Sequence, residues 1–231
     1  MVINRIFLFF GTVFILLPLF CGCGVSTAAE RPQSSDFLDQ LTFLGDSTTA
    51  HLAARSALRT EQIWATKERY LNLDPRITYA NIVAPDTGKE ETICTIAARL
   101  RPKYLVITLG VDYAVYYYRD RQDLLRFYYE KLLNGIEEAS PDTVMVIQSI
   151  FPVARTCKVL TNEMIQRANA TVAAMARERG LVFVDQTATL SDTQGFLRPE
   201  YCSSEDGIHL TAAAYEAVLA HLCRLEGEIK R

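Results

Sequence analysis

Histidine is scarce in this chain, with three residues in 231. No pair of cysteines beyond residue 23 has metal-ligand spacing with a histidine nearby, so a structural zinc is excluded as a reading and no cofactor is expected. Positive charge is not in excess either. A formal net charge of −3 offers no electrostatic case for binding nucleic acid. No break in composition suggests a second domain, and 231 residues with 49% hydrophobic and 22% charged side chains suffice for one well-buried α/β domain.

The only long apolar run is at the start. Met1 to Arg5 carry one positive charge, Ile6 to Phe20 are almost unbroken apolar sequence, and Cys21-Gly22-Cys23-Gly24 follow. A run this short after a basic start reads as a secretory signal better than as a spanning helix. Its end resembles a bacterial lipoprotein signal, with Cys23 a better match than Cys21 for the lipidated residue. An uncleaved anchor or a plain secretory signal is the alternative, and each places the domain outside the cytoplasm. Residues 1–23 are therefore assigned to the signal or anchor, 24–36 to a polar linker, and 37–231 to the folded domain.

Within that domain, apolar runs alternate with helical patterns. Leu41 to Leu44 and Tyr104 to Leu109 are continuous apolar stretches of the kind buried on both faces of a parallel sheet. Ile77 to Val83 alternates and predicts a second strand closed by Pro85 and Gly88. Gln62 to Trp64 and Tyr70 to Leu73 read as an insertion near the site. Thr143 to Ser149 and Leu181 to Asp185 complete five strands. Helices are expected over about 48–57, 92–100, 121–139, 162–179 and from the Thr211 cap onward. The pattern predicts an α/β/α sandwich around a five-stranded parallel sheet, with active residues at the carboxyl ends of its strands.

The apolar run Leu41–Leu44 breaks at Gly45-Asp46-Ser47, which puts Ser47 on a strand-to-helix turn, where a serine is either a helix cap or a nucleophile. Near the other end, Asp206-Gly207-Ile208-His209 sets a carboxylate three residues before an imidazole, close enough to orient the ring as a base. His51 lies one helical turn beyond Ser47 and is expected to point away, and His221 has no acid in the right relation, which leaves His209. Gly45-Asp46-Ser47 together with Asp206-x-x-His209 resembles the SGNH (GDSL-type) esterase family from about Leu41 to His221. The resemblance implies a catalytic triad of Ser47, Asp206 and His209. It also implies an oxyanion hole made from the Ser47 N–H, a glycine N–H best matched by Gly88, and an asparagine side chain after the third strand.

At that last position the chain departs from the family: Gly110-Val111-Asp112-Tyr113 puts Asp112 where asparagine is expected. Three readings stay open. A protonated Asp112 donates from a buried site, another donor substitutes, or the protein is a weak enzyme or a binder. Tyr113, Tyr116, Tyr117 and Tyr118 follow directly, either packing together or offering faces to sugar rings. The resemblance implies a serine hydrolase of small esters or O-acetylated carbohydrate. The rival is a glycan-binding or acyl-transferring surface lipoprotein. Four cysteines lie beyond residue 23: Cys94, Cys157, Cys202 and Cys223. Since Cys157 and Cys202 each follow a strand end on the active-site side, a disulfide is expected between them.

Overall fold

The structure, a computed structural model, describes residues 33–231. The signal, Cys21 and Cys23, and most of the linker lie outside the described residues. Among the described residues no helix is long and apolar enough to cross a membrane.

Among the described residues seven strands occur in chain order: β1 Leu41–Gly45, β2 Ile63–Trp64, β3 Asn81–Val83, β4 Glu90–Thr92, β5 Tyr104–Thr108, β6 Val144–Gln148 and β7 Val182–Val184. Nine α-helices accompany them among the same residues: α1 Gln33–Leu38, α2 Ser47–Arg55, α3 Ile93–Leu100, α4 Ala114–Tyr117, α5 Gln122–Ala139, α6 Asn162–Glu178, α7 Thr187–Leu190, α8 Ala212–Arg224 and α9 Glu226–Ile229. Five strands form one sheet in the order β2-β1-β5-β6-β7, all pairs parallel. Phe43 and Leu44 stand opposite Ile63 and Trp64, and Val106 stands opposite both Phe43 and Val146.

Alternation along these strands sends side chains to two apolar layers. Leu44, Trp64, Leu105, Ile107 and Ile147 pack with Ile96 of α3, Leu132 of α5 and Val172 of α6. Phe43, Ile63, Val106, Val146 and Val184 pack on the opposite face with Phe37 of α1 and Tyr215 and Val218 of α8. The sequence therefore reads correctly as a three-layer α/β fold. The expected Thr211 cap also forms, its hydroxyl accepting a backbone N–H at the start of α8, as the Thr92 and Thr161 hydroxyls do at the starts of α3 and α6.

Three expectations need correction. Ile77 to Val83 is not a strand of the main sheet. Ile77–Tyr79 is a single 3-10 turn, and β3 pairs antiparallel with β4 in a separate hairpin. The place beside β1 belongs to β2, two residues of what reads as an insertion, too short to show alternation. Residues 33–38 form a helix whose Phe37 is buried in the core, so the domain begins before the expected end of the linker at Asp36. Finally, no disulfide joins any of Cys94, Cys157, Cys202 and Cys223, and the expected Cys157–Cys202 bridge is not formed. The Cys202 thiol donates to the Ser204 carbonyl instead.

Candidate functional site

The site lies where β1 passes into α2. Gly45 approaches the β5 backbone so closely that a Cβ there would stand 2.3 Å from the Thr108 carbonyl oxygen, so only glycine fits. Asp46, and not Ser47, caps the helix, its carboxylate accepting the Thr48 N–H at 3.2 Å. Ser47 therefore occupies the first helical position with its hydroxyl free of capping duty, and it is largely buried, with 9% exposure. Asp46 also accepts the Thr48 hydroxyl at 2.8 Å and the Gly110 and Val111 N–H groups at 2.9 and 3.0 Å. Those bonds tie the turn after β5, which carries Asp112, to the turn after β1.

Asp112 lies directly over Ser47. Its Oδ1 is 2.5 Å from the Ser47 hydroxyl, and its Oδ2 accepts two backbone N–H groups, from Ser47 at 2.9 Å and from Leu71 at 3.3 Å. Two backbone donors meeting at one oxygen beside a serine is the geometry that stabilises a developing oxyanion. Here the protein's own carboxyl holds that point. Leu71 lies in the loop after β2, so its N–H follows the true second strand of the sheet. Sequence reading missed it because β2 was not recognised as a strand and because a backbone donor leaves no mark in side-chain identity.

Gly88, the expected glycine donor, is not brought to Ser47. Its N–H donates to the Ala84 carbonyl at 2.8 Å inside the turn between β3 and β4, with φ +68°. That donor is spent on the hairpin, which is the physical reason to withdraw it from the oxyanion hole.

Two carboxyls, the buried Asp46 and the half-buried Asp112, interact across this turn. Burial and the nearby Asp112 push the Asp46 carboxyl up to about 7, and burial raises Asp112 as well, against the hydrogen bonds from Ser47 and Leu71. Like charges this close do not both ionise readily, so the pair retains a proton into the neutral range. Four donors on Asp46 and three on Asp112 oppose that proton on both sides, and the pair holds it jointly.

The second half of the site is the loop before α8. Asp206 Oδ2 stands 2.7 Å from His209 Nδ1, and its Oδ1 accepts the Ser204 hydroxyl at 2.5 Å and the Ile208 N–H at 2.7 Å. Partial burial opposes the Asp206 anion, but these hydrogen bonds and His209 outweigh it and hold the carboxyl well below the usual range. His209 Nε2 is buried without a hydrogen-bond partner. The loop is fastened to the helix that carries Ser47, since Arg55 at the end of α2 donates to the Ser203 hydroxyl at 2.7 Å and to the Leu210 carbonyl. Tyr215 of α8 donates to the Thr48 carbonyl at 2.6 Å.

His51 does not point away as expected. Its ring stacks on His209 with centroids 4.3 Å apart. Burial and the neighbouring His209 lower its pKa. The tyrosines after Asp112 resolve into packing among themselves: Tyr113 stacks on Tyr117 at 4.3 Å, Tyr118 is buried, and Tyr116 and Tyr117 are exposed. No group of three or more potential metal ligands occurs among the described residues.

Among the solved structures this fold is similar to a GDSL-like lipase from Bacteroides thetaiotaomicron VPI-5482, at 15% identity and a TM-score of 0.52, covering 84% of this chain and 90% of that one. It is also similar to the periplasmic domain of a lipopolysaccharide acetyltransferase from Salmonella ser. Paratyphi A, at 14% identity and a TM-score of 0.52, covering 84% of each chain. No curated protein matches the sequence. The sequence does match the GDSL-like Lipase/Acylhydrolase family over residues 43–217, a span running from β1 through the His209 loop into α8, and the chain belongs to that family of ester hydrolases.

Proposed function

We propose that the chain is a serine esterase that works through an acyl-enzyme on O-acetylated carbohydrate or a small ester outside the cytoplasm. The observation that carries the reading is the convergence of the Ser47 and Leu71 N–H groups on one oxygen position beside the Ser47 hydroxyl. Across from it stands an imidazole pinned by Asp206 with its far nitrogen unpartnered. In this reading Ser47 attacks the ester carbonyl and its proton passes to His209 Nε2. Asp206 holds the tautomer and stabilises the imidazolium. The two N–H groups receive the oxyanion at the point that Asp112 Oδ2 now holds. The protonated imidazole then returns its proton to the leaving alcohol, and water resolves the acyl-serine by the same route.

For this to happen the Asp112 carboxyl moves out of the hole. As a neutral acid it then donates to the oxyanion from the side where the family has asparagine. The exposed Tyr116 and Tyr117 beside Asp112 support a carbohydrate substrate, because their rings offer faces for sugars. The N-terminal pattern supports export, with Cys23 carrying a lipid that tethers the domain to the membrane.

The filled hole favours one rival reading, a glycan-binding or acyl-transferring lipoprotein in which Asp112 keeps water-driven turnover low. A fluorophosphonate probe separates the two. Covalent labelling that vanishes in Ser47→Ala is expected of a hydrolase or transferase, and an unlabelled wild-type protein supports the binder. Acetate release from a panel of O-acetylated glycans then identifies the substrate.

A further inference from the structure

The loop from β2 to Leu71 brings more than a backbone donor to the site. Residues Ala65, Thr66, Lys67 and Arg69 of this loop border a cavity of about 490 Å³, whose opposite wall is the small-residue face of α2, including Ala50 and Ala54. The floor is aliphatic, and both charged side chains on its lining are cations. Neither Lys67 nor Arg69 forms a side-chain hydrogen bond or ion pair among the described residues, and both are exposed. No acidic side chain lines this cavity. Glu68 lines a separate cavity with Asp74 and Arg76, and Asp86 and Glu91 are both paired with Arg99.

Arg69 is also held in place. It is one of two non-glycine residues with positive φ among the described residues, at 63°, a conformation that local structure must sustain. Thr66 sustains it. The Thr66 carbonyl accepts the Arg69 N–H at 3.0 Å, and the Thr66 hydroxyl bonds both the N–H and the carbonyl of Tyr70, at 3.0 and 2.6 Å. So placed, the Arg69 charge is felt at His51, whose pKa it helps to lower, and His51 stacks on His209. The cationic rim therefore stands beside the imidazole pair, one turn of α2 from Ser47.

We propose that this cavity is a subsite for an anionic group of the substrate, a carboxylate or phosphate on the acetylated molecule, bound by Arg69 and Lys67 while the ester reaches Ser47. Guanidinium and ammonium groups with no internal partner give up nothing inside the protein on meeting an anion, and the aliphatic walls sharpen the field between the charges. The acidic net charge of the whole chain makes a local cationic rim selective, since anions are otherwise repelled. The proposal rests on Ser47 esterase chemistry and adds its preference for acidic substrates.

Three acetate esters test it: 4-acetoxybenzoate, its neutral methyl ester, and 4-acetoxyphenyl phosphate. They are measured on wild type, Arg69→Gln, the double variant Lys67→Gln with Arg69→Gln, and Arg69→Glu. The ratio of kcat/KM for each anionic ester to that for the methyl ester is compared between each variant and wild type, which cancels the intrinsic reactivity of the esters. It is expected to fall about two- to fivefold for each cation removed, and further in Arg69→Glu, mainly through KM. Half-molar salt is expected to lower the same ratio in wild type and to leave the double variant unmoved. The carboxylate and phosphate arms show which anion the subsite prefers. Ratios that do not change across the variants overturn the subsite while leaving the esterase reading intact. Absence of turnover of all three esters by wild type overturns the esterase reading and the subsite with it.

Discussion

Ser47 Oγ lies 2.5 Å from Asp112 Oδ1, while His209 Nε2, the acceptor that serine chemistry requires, is buried with no partner. Ser47 is thus held by the Asp112 carboxyl, and the proposed mechanism requires it to turn to the imidazole. An ionised Asp112 takes the Ser47 proton and fills the hole with negative charge. A neutral Asp112 instead donates to Ser47 Oγ and leaves the serine proton free to turn to His209. Protonation of one side chain thus separates a blocked site from a competent one.

Ser47→Ala and His209→Ala are each expected to cut hydrolysis of an aryl acetate by about 10⁴-fold or more, because the two act as one proton-transfer unit. Asp206→Asn is expected to cost less. Circular dichroism and thermal unfolding like wild type would show that the fold survives, since none of the three side chains belongs to the two apolar layers. Comparable turnover by purified Ser47→Ala sinks the assignment.

Asp112 is expected to set the alkaline limb of the pH–rate profile. Its pKa is raised chiefly by burial, so it is neutral below that value and anionic above it. Wild-type kcat/KM should decline as pH rises through it. Asp112→Asn carries a donor at every pH and should keep or raise activity at neutral pH with no alkaline decline. Asp112→Ala should give a flat profile lowered by about 3 kcal/mol in the barrier, the cost of one oxyanion donor. Superimposable profiles for the three proteins would show that Asp112 plays no part.

The same carboxyl pair makes stability fall with pH. Between the ordinary aspartate value and the value of about 7 reached by Asp46, the folded protein keeps a proton that the unfolded chain has released, so rising pH favours unfolding across that window. Asp112→Asn removes the like charge and should lower the Asp46 pKa. The gain expected is about 1.4 kcal/mol for each pKa unit relieved, present at pH 7.5 and absent near pH 4. Urea unfolding of both proteins at the two pH values measures it. An equal difference at both would mean that the repulsion is not what the substitution relieves.

His51 positions His209 by stacking. His51→Ala should lower kcat about tenfold with little change in KM, and His51→Phe should restore most of it by keeping an aromatic face against the imidazole. A Phe variant no better than Ala would point to a role for the His51 nitrogens instead.

What the sequence determined by itself was whatever neighbouring residues decide together. Tyr104 to Thr108 is apolar throughout because both faces of β5 are covered, and that pattern is visible without any partner. Asp206 and His209 are three positions apart, so one short loop suffices to join them. The turn Gly45-Asp46-Ser47 marks its own strand end and helix start. Only the tertiary structure decided which short segment borders β1, since β2 is two residues long and pairing across the sheet, not periodicity, makes it a strand. It alone brought the Leu71 N–H to Ser47, stacked His51 on His209 and laid Asp112 over the nucleophile. Those contacts join residues 41 to 158 positions apart. They depend on the packing of separate segments against one another, which local composition does not record.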